Sequence, residues 1–307
     1  MVLKRVLLTG ASGMLGFHFI REFKKNNIEF VGSSRKFPKF LGNIDWFAWD
    51  LKNSEKINSL KSKIGTIDAI FHAGSYVPNS KIINKSKIID TNVRSAIKIS
   101  ELAIEYDIPI CFISGSTVYD DTKKGKILEG DKLSVNGPGG FYGFSKLLTE
   151  NIFKHFIKQG LKILIVRPSS IYGFGQHKGK LIPKLMNMAM KKKCITLYGP
   201  FDYEINFVHA SDVAKASILI MKKKGEGIYN IATEKSYTIE SVAKMCIKIV
   251  GSGSLITKNK SLQKERNKKV FNLNNNLIKR RYKFKPTMTI EKGLKQTFKD
   301  FIKYEIL

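Results

Sequence analysis

Acidic side chains are scarce in this sequence. Only 25 Asp and Glu stand against 54 Lys and Arg, a net charge of +29 over 307 residues. A charge of that size raises nucleic acid or an anionic membrane surface as partners. The lysines nevertheless run along the whole chain instead of gathering in one tail, and Lys, Ile, Asn and Phe are abundant together. That pattern reads as a compositional bias and a lysine-rich solvated surface, with no specific nucleic-acid partner expected. Cysteine is nearly absent: Cys111, Cys194 and Cys246 are far apart and odd in number. This excludes a disulfide framework and a cysteine metal spacing, so three small buried apolar residues and no metal are expected. Long apolar runs are missing too. Nothing approaches the ~18 uninterrupted apolar residues of a membrane span. The chain enters its first strand shortly after Met1 with no signal-peptide pattern, so a cytoplasmic location is expected. The 43% apolar content still supports a real core, in one large domain or two modest ones.

What is present begins with Val6-Leu7-Leu8-Thr9-Gly10-Ala11-Ser12-Gly13-Met14-Leu15-Gly16. A short apolar run feeds a Gly-x-x-Gly-x-x-Gly turn, and Phe17, Ile20 and Phe23 then recur at helical spacing. The order is strand, glycine turn, helix. Gly10 lets the chain turn off the strand, Gly13 lets a pyrophosphate approach the backbone, and Gly16 lets the helix lie close to the sheet. The first helical amides and the helix dipole then face an anion. This is a dinucleotide cradle, formed by Gly10, Ser12, Gly13, Met14, Leu15 and Gly16.

Strand and helix signals alternate through the first half. Strands are expected at Arg5–Leu8, Glu29–Ser33, Ala69–Phe71, Ile110–Ser114 and Lys162–Arg167, with helices at Asn92–Tyr106 and Phe144–Gln159. The fold class is α/β, a doubly wound parallel (Rossmann) sheet with a smaller C-terminal substrate-binding domain. Residues 1–172 plus about 205–232 are assigned to the first part, and 173–204 plus 233–307 to the second. Phe207–Lys222 reads as a helix and Ile228–Ile231 as a strand returning to the main sheet.

In Phe141-Tyr142-Gly143-Phe144-Ser145-Lys146, Tyr142 and Lys146 are four apart and share one helix face. A nearby ammonium stabilises a phenolate and lowers the tyrosine pKa toward working pH. Tyr142 is then placed to exchange a proton with a sugar hydroxyl or carbonyl while hydride moves to or from a nicotinamide. Lys146 would also hold the nicotinamide ribose.

With these two elements, the chain resembles the extended short-chain dehydrogenase/reductase family of nucleotide-sugar epimerases, dehydratases and ketoreductases, over nearly its whole length. Asp50-Leu51 matches the family's acidic residue near the adenine, and the segment Asp68 to Gly74 its cofactor-lining fourth strand. Asn92-Val93 resembles the pair that opens its next helix. Arg167-Pro168-Ser169-Ser170-Ile171-Tyr172-Gly173 resembles its Arg-Pro-x-Asn-x-Tyr-Gly turn, and Asn206-Phe207-Val208 through Asp212-Val213 its Asp-Phe-Val segment. The resemblance implies a cytoplasmic NAD(P)-dependent enzyme acting on a nucleotide sugar, with a product used in surface polysaccharide synthesis. It also implies a homodimer through the two helices 92–106 and 144–159. Carried over residue by residue, it implies cofactor contacts from His72, Ala73, Gly74, Asn92, Ser114, Tyr142, Lys146, Arg167 and Ser169, besides the cradle and Asp50-Leu51. At the end of the second strand the chain reads Ser33-Ser34-Arg35-Lys36 where NAD-preferring members carry an acid. Ser34, Arg35 and Lys36 suit a 2′-phosphate, which favours NADP(H) over NAD(H).

The departures are informative. The family has a Ser or Thr three residues before Val118-Tyr119, and here that position is Gly115. Ser116 is taken as the catalytic hydroxyl, with Ser114 as the other option. Sugar 4,6-dehydratases carry Asp-Glu where this chain has Ser116-Thr117, so dehydration is not expected. Enzymes like GDP-fucose synthase carry a Cys at the position of Thr117 and a His near Lys180. Neither is present, and His177 reads as ordinary surface. Substrate contacts are expected from Ser116, Thr117, Ser170 and Lys180. Ser170 and Ile205 replace an Asn and an Arg that normally touch the substrate diphosphate, so another cation must serve, with Arg266, Arg280 and Arg281 as candidates. The favoured reaction is NADPH-dependent reduction of a 4-keto nucleotide sugar. A 4-epimerase with tightly bound NAD(P)+ is the alternative. A Rossmann protein that binds nucleotide or RNA without turnover is the alternative of another class.

Overall fold

The first apolar run, Arg5–Thr9 (β1), lies inside a seven-stranded sheet. On one side it pairs with Glu29–Ser34 (β2), which pairs with Trp46–Ala48 (β3). On the other side follow Ala69–His72 (β4), Ile110–Ile113 (β5), Ile163–Pro168 (β7) and Gly227–Ile231 (β11). All six pairings are parallel. The computed structural model describes residues 2–37, 42–53, 57–78, 83–120, 125–198, 203–258 and 272–304. Arg266 lies outside them.

Runs such as Ile-Cys-Phe-Ile in β5 and Ile-Leu-Ile-Val in β7 are buried throughout because helices cover both faces of a parallel sheet. Alternation sorts them. Val6, Leu8 and Phe71 face a core with Phe19, Phe23 and Ile220, supplied by Met14–Lys25 (α1) and Ala210–Lys222 (α7). Leu7, Ile70 and Phe112 face a core with Leu60, Ile99 and Phe153. Those come from Ile57–Ile64 (α2), Arg94–Tyr106 (α4) and Gly140–Lys158 (α5). The strand order reverses direction between β1 and β4, the switch point where such sheets open a ligand crevice.

The short helix Lys85–Ile88 (α3) runs through a widened π turn, Ile89–Val93, into α4. Asn92 therefore sits in that turn and not in a regular helix. Widened turns of this kind often mark functional sites.

Outside the main sheet, Ser170–Tyr172 (β8), Glu204–His209 (β10) and Ser236–Thr238 (β12) form a three-stranded sheet. Cys194–Tyr198 (β9) pairs with Ser254–Lys258 (β13), and Lys126–Ile127 (β6) with Asn272–Leu273 (β14). Leu181–Met190 (α6), Ile239–Val250 (α8) and Ile290–Tyr304 (α10) share a core around Phe174, Met186, Val242 and Leu294. Asn276–Tyr282 (α9) returns to the main core through Ile278. Among the described residues no helix is long and apolar enough to cross a membrane, and no His/Cys/Asp/Glu group could hold a metal ion.

Three expectations need correction. Cys194, expected to be buried with Cys111 and Cys246, is exposed at the start of β9. Phe207–Lys222 is not one helix: Phe207–His209 ends β10, held by register with Ser170–Tyr172, and α7 begins at Ala210. His209 caps it, its Nδ1 accepting from the Ser211 amide. The helix expected from Phe144 begins at Gly140, which puts Tyr142 in its first turn. Strand β3 and helix α2 carried no signal strong enough to be expected.

Three histidines are buried and neutral. His18 and His209 meet edge to face at 4.9 Å between α1 and β10. Burial drives His18 well below 6.5, His209 to about 4 and His72 to about 3. Below pH ~6.5 the unfolded chain binds protons that the folded chain refuses, so stability falls on acidification by ~1.4 kcal/mol per pH unit for each such group. Urea unfolding should show this loss growing from about pH 6.5 down to the folded-state values. His209→Gln should make the slope shallower by one proton's share.

Candidate active site

The cradle forms because three backbones approach too closely for side chains. Gly10 has φ +74°, and a Cβ there would lie 2.6 Å from Gly74 Cα. A Cβ on Gly16 would strike the carbonyl oxygens of Gly10 and Ala11, so α1 rests on the end of β1. Gly13 starts α1 in an extended conformation with no side-chain cap, leaving its first amides for an anion.

A cavity opens at this point, walled by Gly10, Ser12, Gly13, Ser33, Ser34, Arg35, Trp49, Asp50, Leu51, Ala73, Gly74, Ser75, Tyr76 and Thr91. Met14, Leu15 and Gly16, in the first turn of α1, and the exposed Lys36 are not on its wall. The Ser34 hydroxyl is already occupied. It accepts from Trp46 Nε1 at 2.9 Å and donates to the Lys36 carbonyl at 2.8 Å, leaving Arg35 as the cation on the rim. His72 and Asn92 are not on the wall but hold it in place. His72 Nδ1 bonds Thr9 Oγ1 at 2.7 Å, and that hydroxyl accepts the Gly74 amide at 3.2 Å. Asn92 takes the Tyr76 amide on Oδ1 at 2.7 Å and donates Nδ2 to the Tyr76 carbonyl and to Ser145 Oγ.

A second cavity is lined by Val77, Ser114 to Thr117, Tyr142, Pro168 to Tyr172, Gln176, Lys180 to Ile182, Ile205 and Phe207. Lys146, one turn beyond Tyr142, donates Nζ to the Ile113 carbonyl at 2.9 Å and stands 5.8 Å from the Tyr142 ring centre. The expected lowering of the Tyr142 pKa does not occur. Burial pushes the phenol up to about 12, with the neighbouring Ser75 hydroxyl acting the other way. Burial likewise pulls Lys146 down to about 7, opposed by Glu150. Lys146 is buried and Tyr142 half-buried, and for Lys146 desolvation outweighs the pairing with Glu150.

Ser116, Thr117, Ser170 and Lys180 all stand on this wall, and so does Ser169, which was expected near the cofactor. Ser114 also touches it, but its hydroxyl donates to Glu150 Oε1 at 2.6 Å. Arg167 does not reach either wall as an expected cofactor contact would. Its guanidinium is 1% exposed and grips Glu150 through both carboxylate oxygens, at 2.9 and 2.5 Å. It also donates to Tyr119 Oη and to the Glu129 carbonyl, each at 3.0 Å. The pair extends to Asn230, whose Oδ1 accepts from Tyr119 Oη at 2.7 Å. Arg280 and Arg281 lie on α9, Arg280 beside Lys279 and Lys283 and Arg281 beside Tyr229, away from the second cavity. His177 is exposed and accepts the Gly179 amide.

The sequence did not single out Gln176, Ser75, Tyr76, Trp49 or Thr91. Gln176 donates its amide to the Ile171 carbonyl at 3.0 Å, which turns its oxygen away from that bond. No local pattern marks these residues, because the chain brings them to the walls from turns distant in sequence. Among the described residues the second wall carries hydroxyls, the phenols of Tyr142 and Tyr172, and Lys180, and no Asp, Glu, Cys or His.

A model of the NAD dependent epimerase/dehydratase family matches residues 6–232. Among curated proteins, the UDP-N-acetyl-alpha-D-glucosaminuronate decarboxylase of Bacillus cytotoxicus is 27% identical over 268 residues, 82% of each chain. The dTDP-4-dehydro-6-deoxy-D-allose reductase of a Streptomyces species is 23% identical over 266 residues, 81% of this chain and 82% of that one. Among solved structures, the UDP-glucose 4-epimerase of Thermus thermophilus, complexed with NAD, superposes with a TM-score of 0.84 at 19% identity. It covers 97% of this chain and 99% of that one, a likeness of fold.

The Glu150–Arg167 pair yields a direct test. Glu150→Ala leaves a buried guanidinium without its counter-charge, which should destabilise the protein by about 3–5 kcal/mol. Chemical denaturation would measure it.

Proposed function

Since the chain belongs to the NAD dependent epimerase/dehydratase family, we propose that it reduces a 4-keto nucleotide sugar with NADPH. One observation carries this reading. Among its described residues the second cavity offers Tyr142 as proton donor among neutral hydroxyls; the other phenol, Tyr172, donates to the Ile290 carbonyl, and apart from Lys180 the wall has no Asp, Glu, Cys or His. Eliminating water or inverting a ring carbon beside the ketone requires a further group to move a C–H proton. Proton transfer to one oxygen does not.

The residues present fit a dinucleotide. Gly10, Ser12 and Gly13 leave room for a pyrophosphate, Asp50 and Leu51 stand where the adenine end would lie, and Arg35 is on the rim with no carboxylate at the end of β2. When bound, the reduced nicotinamide supplies the hydride. Tyr142, kept protonated by burial, gives its proton to the substrate oxygen. Lys146 provides the charge that stabilises the resulting phenolate, and its bond to the Ile113 carbonyl fixes its position. Lys180 and the first amides of α6 stand where a diphosphate can be held.

The same wall would serve a 4-epimerase, which oxidises and re-reduces the same carbon. That reaction begins with Tyr142 as a base and later returns the same proton, so it uses the same residues of this wall. The proposed assembly is a homodimer through α4 and α5, whose outward Ile97, Ile104 and Ile157 are exposed.

Mass spectrometry of the gently denatured protein tests the choice. An empty site that takes up NADPH supports the reductase, and retained NAD(P)+ supports the epimerase. Tyr142→Phe should cut turnover by about 10²–10⁴-fold while NADPH affinity stays within a few-fold. Arg35→Ala should weaken NADPH by roughly 10–100-fold and leave NADH nearly unchanged, since it removes one charge-assisted contact. Titration with each cofactor reads the difference.

A further inference from the structure

We propose that Thr117 supplies the hydroxyl that holds the reacting substrate oxygen beside Tyr142. This rests on the carbonyl reduction argued above.

Three hydroxyls surround Gly115. That of Ser114 is committed to Glu150. Gly115 itself is extended, at φ 179°, and has no side chain to offer. A Cβ there would meet Thr117 Oγ1 at 3.4 Å, so the Thr117 hydroxyl stands beside the vacant position. Thr117 lines the second cavity, and its Oγ1 is buried with no hydrogen-bond partner among the described residues. A buried hydroxyl in that state is paired once a ligand oxygen arrives.

The first turn of α5 fixes where Thr117 sits. A Cβ on Gly139 would lie 2.5 Å from Thr117 Cβ, and one on Gly143 3.3 Å from it. These two glycines flank Tyr142. Their missing side chains let the turn that carries Thr117 close directly on the turn that carries the proton donor. The reaction balances without a further group. The carbonyl carbon gains hydride from NADPH, the oxygen gains the Tyr142 proton, and Thr117 keeps its own proton while donating a hydrogen bond to that oxygen.

The test measures kcat, KM and NADPH affinity with dTDP-4-dehydro-6-deoxy-D-glucose as the 4-keto probe. Thr117→Val keeps the shape in the glycine socket and should lower kcat by about 10²–10³-fold with NADPH affinity unchanged. Thr117→Ser should retain most of kcat. Ser116→Ala should act mainly on KM. Adding Gly115→Ser to Thr117→Val should restore kcat at least tenfold, because a side chain at 115 meets only ordinary contacts. A kcat loss in Ser116→Ala but not in Thr117→Val overturns the proposal. So does a Thr117→Val loss that carries NADPH binding with it and is not restored at 115. Failure of the unsubstituted protein to reduce the probe, or full turnover by Tyr142→Phe, instead removes the reductase reading and this proposal with it.

Discussion

The buried pair of Glu150 and Arg167 is the contact on which the site depends. Two opposite charges at 0% and 1% side-chain exposure are tolerable only when their remaining hydrogen-bonding capacity is met. Here it is met by neighbouring side chains and a backbone carbonyl. Ser114 donates to Glu150, and Tyr119 and the Glu129 carbonyl accept from Arg167. Asn230 then joins Tyr119 and the Ile127 carbonyl, tying β11 into the same network. The pair thus fastens the ends of β5, β7 and β11 to the middle of α5. Tyr142 and Lys146 ride on that helix, two turns and one turn ahead of Glu150. A helix fastened by a desolvated ion pair has little freedom to rock, and proton transfer demands such fixed geometry.

The two buried cations behave differently because of this pair. Arg167 has a dedicated counter-charge, and its guanidinium is held above its ordinary range. Lys146 shares the same carboxylate only from one turn away, and desolvation prevails, drawing it to about 7. Near neutrality its charge is therefore easily changed by whatever occupies the cavity. A developing phenolate at Tyr142 would favour the ammonium, and the ammonium would favour the phenolate. Burial holds both groups toward neutrality, and the proposed reduction would relieve them together.

The parts of the fold legible in the sequence were those set by local backbone constraints. Gly10 and Gly16 stand at the two ends of one short turn, and Gly16 packs on the Gly10 and Ala11 carbonyls, so strand, turn and helix could be read as a unit. The buried strands showed as apolar runs. Tyr142 and Lys146 showed as a helical spacing. What the sequence concealed depends on long-range pairing. Arg167 looks like a cofactor contact until Glu150 is seen to claim it. The Phe207–His209 end of β10 looks like the start of a helix until β8 pairs with it. Gln176 and the Ser75–Tyr76 wall have no marker, since their roles come from Ile171 and Asn92. The direction of the Tyr142 shift was hidden for the same reason: spacing reveals the nearby ammonium, but burial is a property of the whole fold.

The strong positive charge of the surface and the largely uncharged wall of the second cavity differ in what they can recognise. Ion pairs such as Lys61–Glu105, Lys244–Glu240 and Lys295–Glu291 are solvent-exposed and contribute little to stability. The excess lysines act collectively, as a field that draws polyanions, and salt screens such a field over about 10 Å. A field of that kind cannot distinguish one nucleotide sugar from another. Under the proposed function, discrimination would fall to the wall itself, where Ser116, Thr117, Ser169, Ser170 and Gln176 stand among Val77, Ile205 and Phe207. A buried neutral group left unpaired by the wrong ligand discriminates strongly. Attraction and selection therefore rest on different residues, and raising the salt should weaken the first without altering the second.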